Sequence, residues 1–246
     1  MTDRVALVTG GAGGIGSAIC RQLAAAGHRV IVADLSVVAA DRVAAEIGGR
    51  AVELDVTDPA SCQDAMQRSA EQEGPVHVLV NCAGWDEFKP FLDTDEAFQH
   101  RVLEINLAGP MRLTRLALPA MIEVGWGRLV NIASDAGRVG SSLEGVYSGA
   151  KGGLIAFTKT IAREVARHGI TANAVCPGPT DTPLIAAMVA AGGVGERAIA
   201  SMTKAVPMRR LAEPNDMAPA VVYFASDAAG FVTGQTLSVS GGLTMA

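Results

Sequence analysis

The sequence predicts a doubly wound α/β fold: a mostly parallel seven-stranded sheet with helices on both faces. Three observations point there. Short, nearly continuous apolar runs recur along the chain, Ala-rich stretches of helical period separate them, and the first run leads straight into a glycine-dense turn. Strands buried on both faces read as unbroken Val/Ile/Leu runs, and strand–helix alternation implies βαβ crossovers.

The runs are Val5–Val8, Arg29–Ala33, Ala51–Leu54, Val76–Val80, Arg128–Ile132, Thr171–Val175 and Thr236–Val239. Helical patterns cover 14–26, 36–47, 59–73, 94–124, 146–168 and 214–226, with 94–124 read as two helices broken near Gly109-Pro110. No linker or low-complexity tract interrupts them, so residues 1–246 are expected to form one domain. Residues 184–210 depart from the alternation. They are Ala/Gly/Met-rich, weakly patterned, and contain Gly192-Gly193 and Gly195. One or two short helices acting as a substrate lid are expected there, with a plain surface excursion as the alternative.

With 49% hydrophobic but only 4% aromatic residues, the core must be built from Ala, Val, Leu and Ile. A formal net charge of −5 argues against nucleic acid as a partner. Cys20, Cys62, Cys82 and Cys176 form no CxxC pair and no Cys/His cluster, so neither a disulfide framework nor a metal site is expected. Met1-Thr2-Asp3-Arg4 runs directly into the first strand without a signal-peptide core, and no apolar run approaches membrane-spanning length. A cytoplasmic protein with no membrane partner is expected.

Val5–Val8 leads into Thr9-Gly10-Gly11-Ala12-Gly13-Gly14-Ile15-Gly16 and then a helical pattern. Strand, glycine loop and helix N-terminus together make a pyrophosphate site, because glycines allow close backbone approach and free N–H groups face the charge. A G-x-G-x-x-G match falls at Gly11, Gly13 and Gly16, but five glycines in seven residues make it a weak signal alone. Asp34 ends the second run, 18 residues after Gly16, where a carboxylate can bind the adenosine ribose hydroxyls and repel a 2′-phosphate. Neither Leu35 nor Ser36 is basic, so NAD is expected over NADP; the competing reading makes Asp34 a helix cap. Asp55 likewise reads as an adenine contact or as a cap of the turn before Pro59.

Tyr147 and Lys151 lie one helical turn apart on a face that continues with Leu154, Ile155, Thr158 and Ile161. An ammonium near a phenol favours the phenolate, so Lys151 is expected to lower the Tyr147 pKa and make it a usable acid/base. Ser134 ends the fifth run, where its hydroxyl can hold a carbonyl oxygen or merely cap a turn.

Together these residues resemble the short-chain dehydrogenase/reductase family over essentially the whole chain. The resemblance rests on Thr9-Gly10-x-x-x-Gly14-Ile15-Gly16, Asp55-Val56, Asn81-Cys82-Ala83-Gly84 and Asn106 in Ile105-Asn106-Leu107. It continues with Ser134 thirteen residues before Tyr147-x-x-x-Lys151, and with Pro177-Gly178, Thr180 and Thr182. Cys82 departs from the family, which usually has a second Asn there. The resemblance implies Tyr147 as acid/base, Lys151 as its partner and nicotinamide-ribose ligand, Ser134 on the substrate oxygen, and Asn106 holding a relay water. It implies Asn81, Ala83 and Gly84 beside the adenosine ribose, and Pro177, Gly178, Thr180 and Thr182 at the carboxamide. The family's usual assembly, with the apolar, Gly-rich 230–246 stretch, implies a homotetramer.

Ala83–Phe91, Ser134–Ser142 and Ser238–Met245 are most similar to members acting on hydroxyacyl-CoA thioesters, such as 2-hydroxycyclohexanecarboxyl-CoA dehydrogenases, and more broadly to 3-oxoacyl thioester reductases. That implies Trp85, Phe88, Arg138 and Val139 at the substrate, and Lys89, Arg138, Arg197 and Lys204 as candidates for the CoA phosphates. A sugar, polyol or cyclic-alcohol dehydrogenase is the alternative. A non-catalytic nucleotide sensor is disfavoured by the intact Asn/Ser/Tyr/Lys set.

Overall fold

The computed structural model of the chain describes residues 3–190 and 193–245; Gly192, within the expected lid, lies outside them. All seven expected strands form: β1 (Val5–Thr9), β2 (Arg29–Asp34), β3 (Arg50–Glu53), β4 (Val76–Asn81), β5 (Gly127–Ile132), β6 (Ile170–Pro177) and β7 (Thr236–Val239). Every pairing is parallel, in the order β3-β2-β1-β4-β5-β6-β7. The winding reverses between β1 and β4, and such a switch point leaves a crevice outside the strands' C-terminal ends.

The helices are α1 (Gly14–Ala25), α2 (Val37–Ile47), α3 (Pro59–Glu73), α4 (Glu96–Leu103), α5 (Gly109–Val124), α6 (Ala136–Val139), α7 (Gly145–Val165), α8 (Pro183–Ala190), α9 (Val194–Ala205) and α10 (Pro214–Ala225). Two cores flank the sheet. Ala6, Val8, Val30 and Val32 pack under α1, α2 and α10 through Ile19, Leu23, Val43, Val221 and Phe224. Val5, Leu7, Ile31 and Leu79 face the other way, against Ala65 of α3, Leu113 and Met121 of α5, and Ala162 of α7. Alternate side chains thus enter different cores, which is why the strands read as unbroken apolar runs.

The expected break at Gly109-Pro110 is not there. A π-turn over Glu104–Ala108 joins α4 to α5 instead, and Pro110 sits in the first turn of α5, where a missing N–H costs little. The π-turn carries the buried Asn106, whose Nδ2 donates to Val102 O at 2.9 Å and Trp85 O at 2.7 Å. In the 184–210 stretch, where one or two short helices were expected, two form, α8 and α9. Among the described residues no helix is long and apolar enough to cross a membrane.

Candidate active site

Beyond the C-terminal ends of β1, β2, β4, β5 and β6 lies a cleft of about 820 Å³. Its floor at one end is the glycine loop. Gly10 has φ +62°, and a Cβ there would stand 2.9 Å from the Ala83 Cα. A Cβ on Gly16 would stand 2.0 Å from the Gly10 carbonyl oxygen, so this crossing tolerates no side chain. The helix α1 that follows has no side-chain N-cap and no acidic residue in its first turn, leaving its N–H groups free for an anion.

Asp34 closes this end. Its Oδ2 accepts from Ala12 N at 3.0 Å and its Oδ1 from Ser36 N at 3.1 Å, so the carboxylate is tied to the glycine loop. Ser36, not Asp34, caps α2, accepting from Ala39 N at 3.4 Å. Asp55 accepts from Thr57 N at 2.8 Å and Thr57 Oγ1 at 2.7 Å, while Asp58 caps α3; Asp55 therefore both shapes its turn and borders the cleft. The cradle of glycines, the bare helix end and the fixed carboxylate fit a dinucleotide.

At the other end, Ser134 follows β5 with its Oγ accepting from Ala136 N at 3.1 Å. Tyr147 lies in the first turn of α7, and Lys151 Nζ lies 5.6 Å from its ring centroid. Lys151 is buried and donates to Ile132 O at 2.8 Å. A Cβ on Gly137 would come 2.6 Å from the Lys151 carbonyl carbon, so α6 packs directly onto α7 at this residue. Burial draws Lys151 down to about 8.

Here the expected direction for Tyr147 is reversed. Burial, then the negative charges of Glu144 and Asp86, hold its phenol above the ordinary range; hydrogen bonding with Ser134 works against them. Burial penalises the phenolate, the two acids repel it, and the ammonium is committed to the Ile132 carbonyl. In the free protein Tyr147 is therefore the protonated, acid form.

Gly10, Gly13, Gly14, Ile15, Gly16, Asp34, Leu35, Asp55, Val56, Ala83, Gly84, Ser134, Tyr147, Lys151, Pro177, Gly178, Thr180 and Thr182 all border this one cleft. So do Trp85, Phe88 and Val139, with Leu184, Ile185, Met188 and Met202 contributed by α8 and α9. Asn106 is set just behind the wall: its Oδ1 lacks a partner among the described residues. A Cβ on Gly84 would lie 3.1 Å from that oxygen and 3.7 Å from Lys151 Nζ, so the two groups flank one spot.

Some expected residues stand elsewhere. Asn81 is buried off the cleft, donating to Asn131 Oδ1 at 2.8 Å in a chain that Asn131 continues to Thr158 Oγ1 at 2.8 Å. Arg138 donates to Ser238 Oγ at 2.7 Å and does not border the cleft. Lys89, Arg197 and Lys204 do not border it either; among the described residues its only cations are Lys151 and Arg101, whose guanidinium sits 3.9 Å over the Trp85 ring. Arg101 was missed because, on α4, nothing in the spacing ties it to the loop carrying Trp85. Asp86 and Glu144 were missed too. Both border the cleft, burial and then Glu144 push Asp86 up to about 7, and burial raises Glu144.

A family model described as enoyl-(acyl carrier protein) reductase matches residues 10–244. The chain belongs to the short-chain dehydrogenase/reductase family. It is an oxidoreductase of a family that works with a nicotinamide cofactor on CH–OH centres. The chain is 42% identical to a cis-4-hydroxycyclohexanecarboxylate dehydrogenase of Sinomonas cyclohexanicum, covering 98% of this chain and 97% of that one. It is 35% identical to an acetoacetyl-CoA reductase of Allochromatium vinosum, over 98% and 99% respectively. It is 36% identical to a 3-oxoacyl-[acyl-carrier-protein] reductase of Escherichia coli, over 98% of each. Within this short-chain dehydrogenase/reductase the family register of Gly10, Gly14 and Gly16 also fits the geometry better than the G-x-G-x-x-G match. Gly10 and Gly16 make the crossing, whereas Gly11 backs onto Val8 and Val32 and does not border the cleft.

Proposed function

We propose that this chain is an NAD-dependent dehydrogenase interconverting a secondary alcohol and a ketone on a 2- or 3-hydroxyacyl-CoA, with Tyr147 as acid/base. One observation carries the reading: Ser134, Tyr147 and Lys151 share a cleft whose opposite end is a glycine cradle guarded by Asp34. The glycine loop and α1 N-terminus would hold the pyrophosphate, Asp34 the adenosine ribose, and Asp55 and Val56 the adenine. Lys151 would take the nicotinamide ribose, and Pro177, Gly178, Thr180 and Thr182 the carboxamide. When bound, the dinucleotide supplies the hydride acceptor or donor. Ser134 holds the substrate oxygen, and Tyr147 gives it a proton in reduction or takes one in oxidation. Lys151 and a water on Asn106 Oδ1 exchange that proton with solvent. Leu184, Ile185, Met188 and Met202 make α8 and α9 the lid over the acyl part.

The substrate assignment draws on the acetoacetyl-CoA and 3-oxoacyl reductases among the relatives. A second reading, a cyclic-alcohol dehydrogenase, is favoured by the relative that acts on a hydroxycyclohexanecarboxylate. Initial rates with hydroxyacyl-CoA esters and free cyclic alcohols, each with NAD and NADP, test both. The thioesters should give the higher kcat/KM. NAD should exceed NADP by at least about tenfold, which needs only about 1.4 kcal/mol of differential binding. Asp34→Ala with Leu35→Arg should move the preference towards NADP. Equal use of both cofactors by the unaltered protein would contradict the role of Asp34.

A homotetramer with the C-terminal stretch at an interface is part of the same reading. Phe231 is fully exposed and Met245 is 88% exposed in the single chain, an arrangement better buried against another copy. Sedimentation should give four chains, with Phe231→Asp shifting the protein towards smaller species; a monomeric unaltered protein would contradict it.

A further inference from the structure

We propose that Asp86 and Glu144 form a carboxyl pair that selects substrates by charge, admitting a neutral acyl group beside the reacting carbon and turning away a free carboxylate. The inference rests on the reading of the cleft as the place where Tyr147 serves alcohol oxidation.

The two acids come from different loops, one after β4 and one entering α7. Lys89 N donates to Leu143 O at 2.9 Å, tying those loops together, and both acids border the cleft that Tyr147 and Ser134 border. Asp86 is only 4% exposed, and its Oδ2 has no hydrogen-bond partner among the described residues. A buried carboxyl oxygen without a partner is costly unless something else meets it, and a substrate group is what the cleft can bring. The groups acting on the pair are few. Asp86 and Glu144 hydrogen-bond each other, the Glu87 backbone hydrogen-bonds Asp86, the Glu87 carboxylate adds like charge, and Ser141 hydrogen-bonds Glu144. The Lys151 ammonium, engaged by the Ile132 carbonyl, also interacts with the Asp86 charge, and Arg101 stacks on Trp85.

Tyr147 lines the same cleft as the pair, and after burial the charges of Glu144 and Asp86 hold its phenol up. A field that reaches the phenol reaches the carbinol the phenol serves. A carboxylate on the neighbouring carbon would enter that field and be repelled, whereas a thioester carbonyl carries no charge and can accept a hydrogen bond from a protonated member of the pair.

The test compares NAD-dependent oxidation of trans-2-hydroxycyclohexanecarboxylate, its CoA thioester and cyclohexanol. Wild type is measured beside Asp86→Asn, Glu144→Gln and the double variant. The readout is the ratio of kcat/KM for the free acid to that for cyclohexanol within each protein, so a loss of total activity does not mask it. That ratio should rise by about tenfold or more in the double variant and by about threefold in each single one, with the thioester-to-cyclohexanol ratio rising less. A free-acid ratio that stays unchanged in variants still oxidising cyclohexanol overturns this inference alone. A wild-type protein that oxidises none of the three compounds overturns the dehydrogenase reading and the inference with it.

Discussion

Tyr147→Phe is expected to lower kcat/KM by roughly two to four orders of magnitude, the share that a positioned acid/base contributes, while leaving the fold and NAD binding intact. The substitution keeps the ring beside Lys151, whose Nζ lies 5.6 Å from its centroid, and deletes only the hydroxyl. Steady-state rates, with an NAD titration as the folding and binding control, check it. The pH dependence follows from the direction of the Tyr147 shift. Burial, Glu144 and Asp86 keep the proton on the phenol, so the base form that oxidation requires is scarce near neutrality and grows as pH rises. Wild-type kcat/KM for alcohol oxidation should therefore climb from neutral into alkaline pH, and this climb should disappear in Tyr147→Phe. A variant turning over at near wild-type rate would show that another group carries the proton.

Gly16→Ala is the second large effect. The added Cβ would stand 2.0 Å from the Gly10 carbonyl oxygen, and the obstruction is backbone, so the loop or the start of α1 has to move. NAD affinity should fall by about 100-fold, or about 2.7 kcal/mol, and stability should drop by roughly 1–3 kcal/mol from overpacking. Gly48→Ala is the control, because Gly48 ends α2 at φ +67° with nothing within 4 Å of its Cβ position. It should cost stability through strain alone and leave NAD binding unchanged. Calorimetric titration and denaturant unfolding of both variants separate the effects. Full NAD affinity in Gly16→Ala would contradict the assignment of the glycine loop.

The sheet was legible because β1, with Val5 and Leu7 in one core and Ala6 and Val8 in the other, has no exposed face to break its apolar run. The π-turn was not, because Gly109-Pro110 is a strong local signal for a break, whereas the helix continues and its Asn106 is held from outside it by the Trp85 carbonyl. At the site, residues fixed by backbone geometry were the readable ones: the glycines, Asp34 and the one-turn spacing of Tyr147 and Lys151. What escaped depended on packing between distant segments. Asp86 and Glu144 meet only because two loops are tied together, and Arg101 reaches the cleft only by stacking on Trp85. The reversed shift at Tyr147 has the same origin, since spacing shows the nearby lysine but neither the burial nor the two acids. Asn81, expected beside the adenosine ribose, ends β4 instead with its side chain turned into the sheet towards Asn131.

Isotope transfer tests direct hydride transfer between the substrate carbinol and NAD without reference to any variant. The purified protein is incubated with NAD and a 3-hydroxyacyl-CoA or cyclic alcohol carrying deuterium on the carbinol carbon, and the NADH formed is weighed by mass spectrometry. The expected result is NADH carrying one deuterium from the substrate. NADH lacking the label would rule out direct transfer from the carbinol, and the absence of NADH with every thioester and alcohol tried would rule out the dehydrogenase.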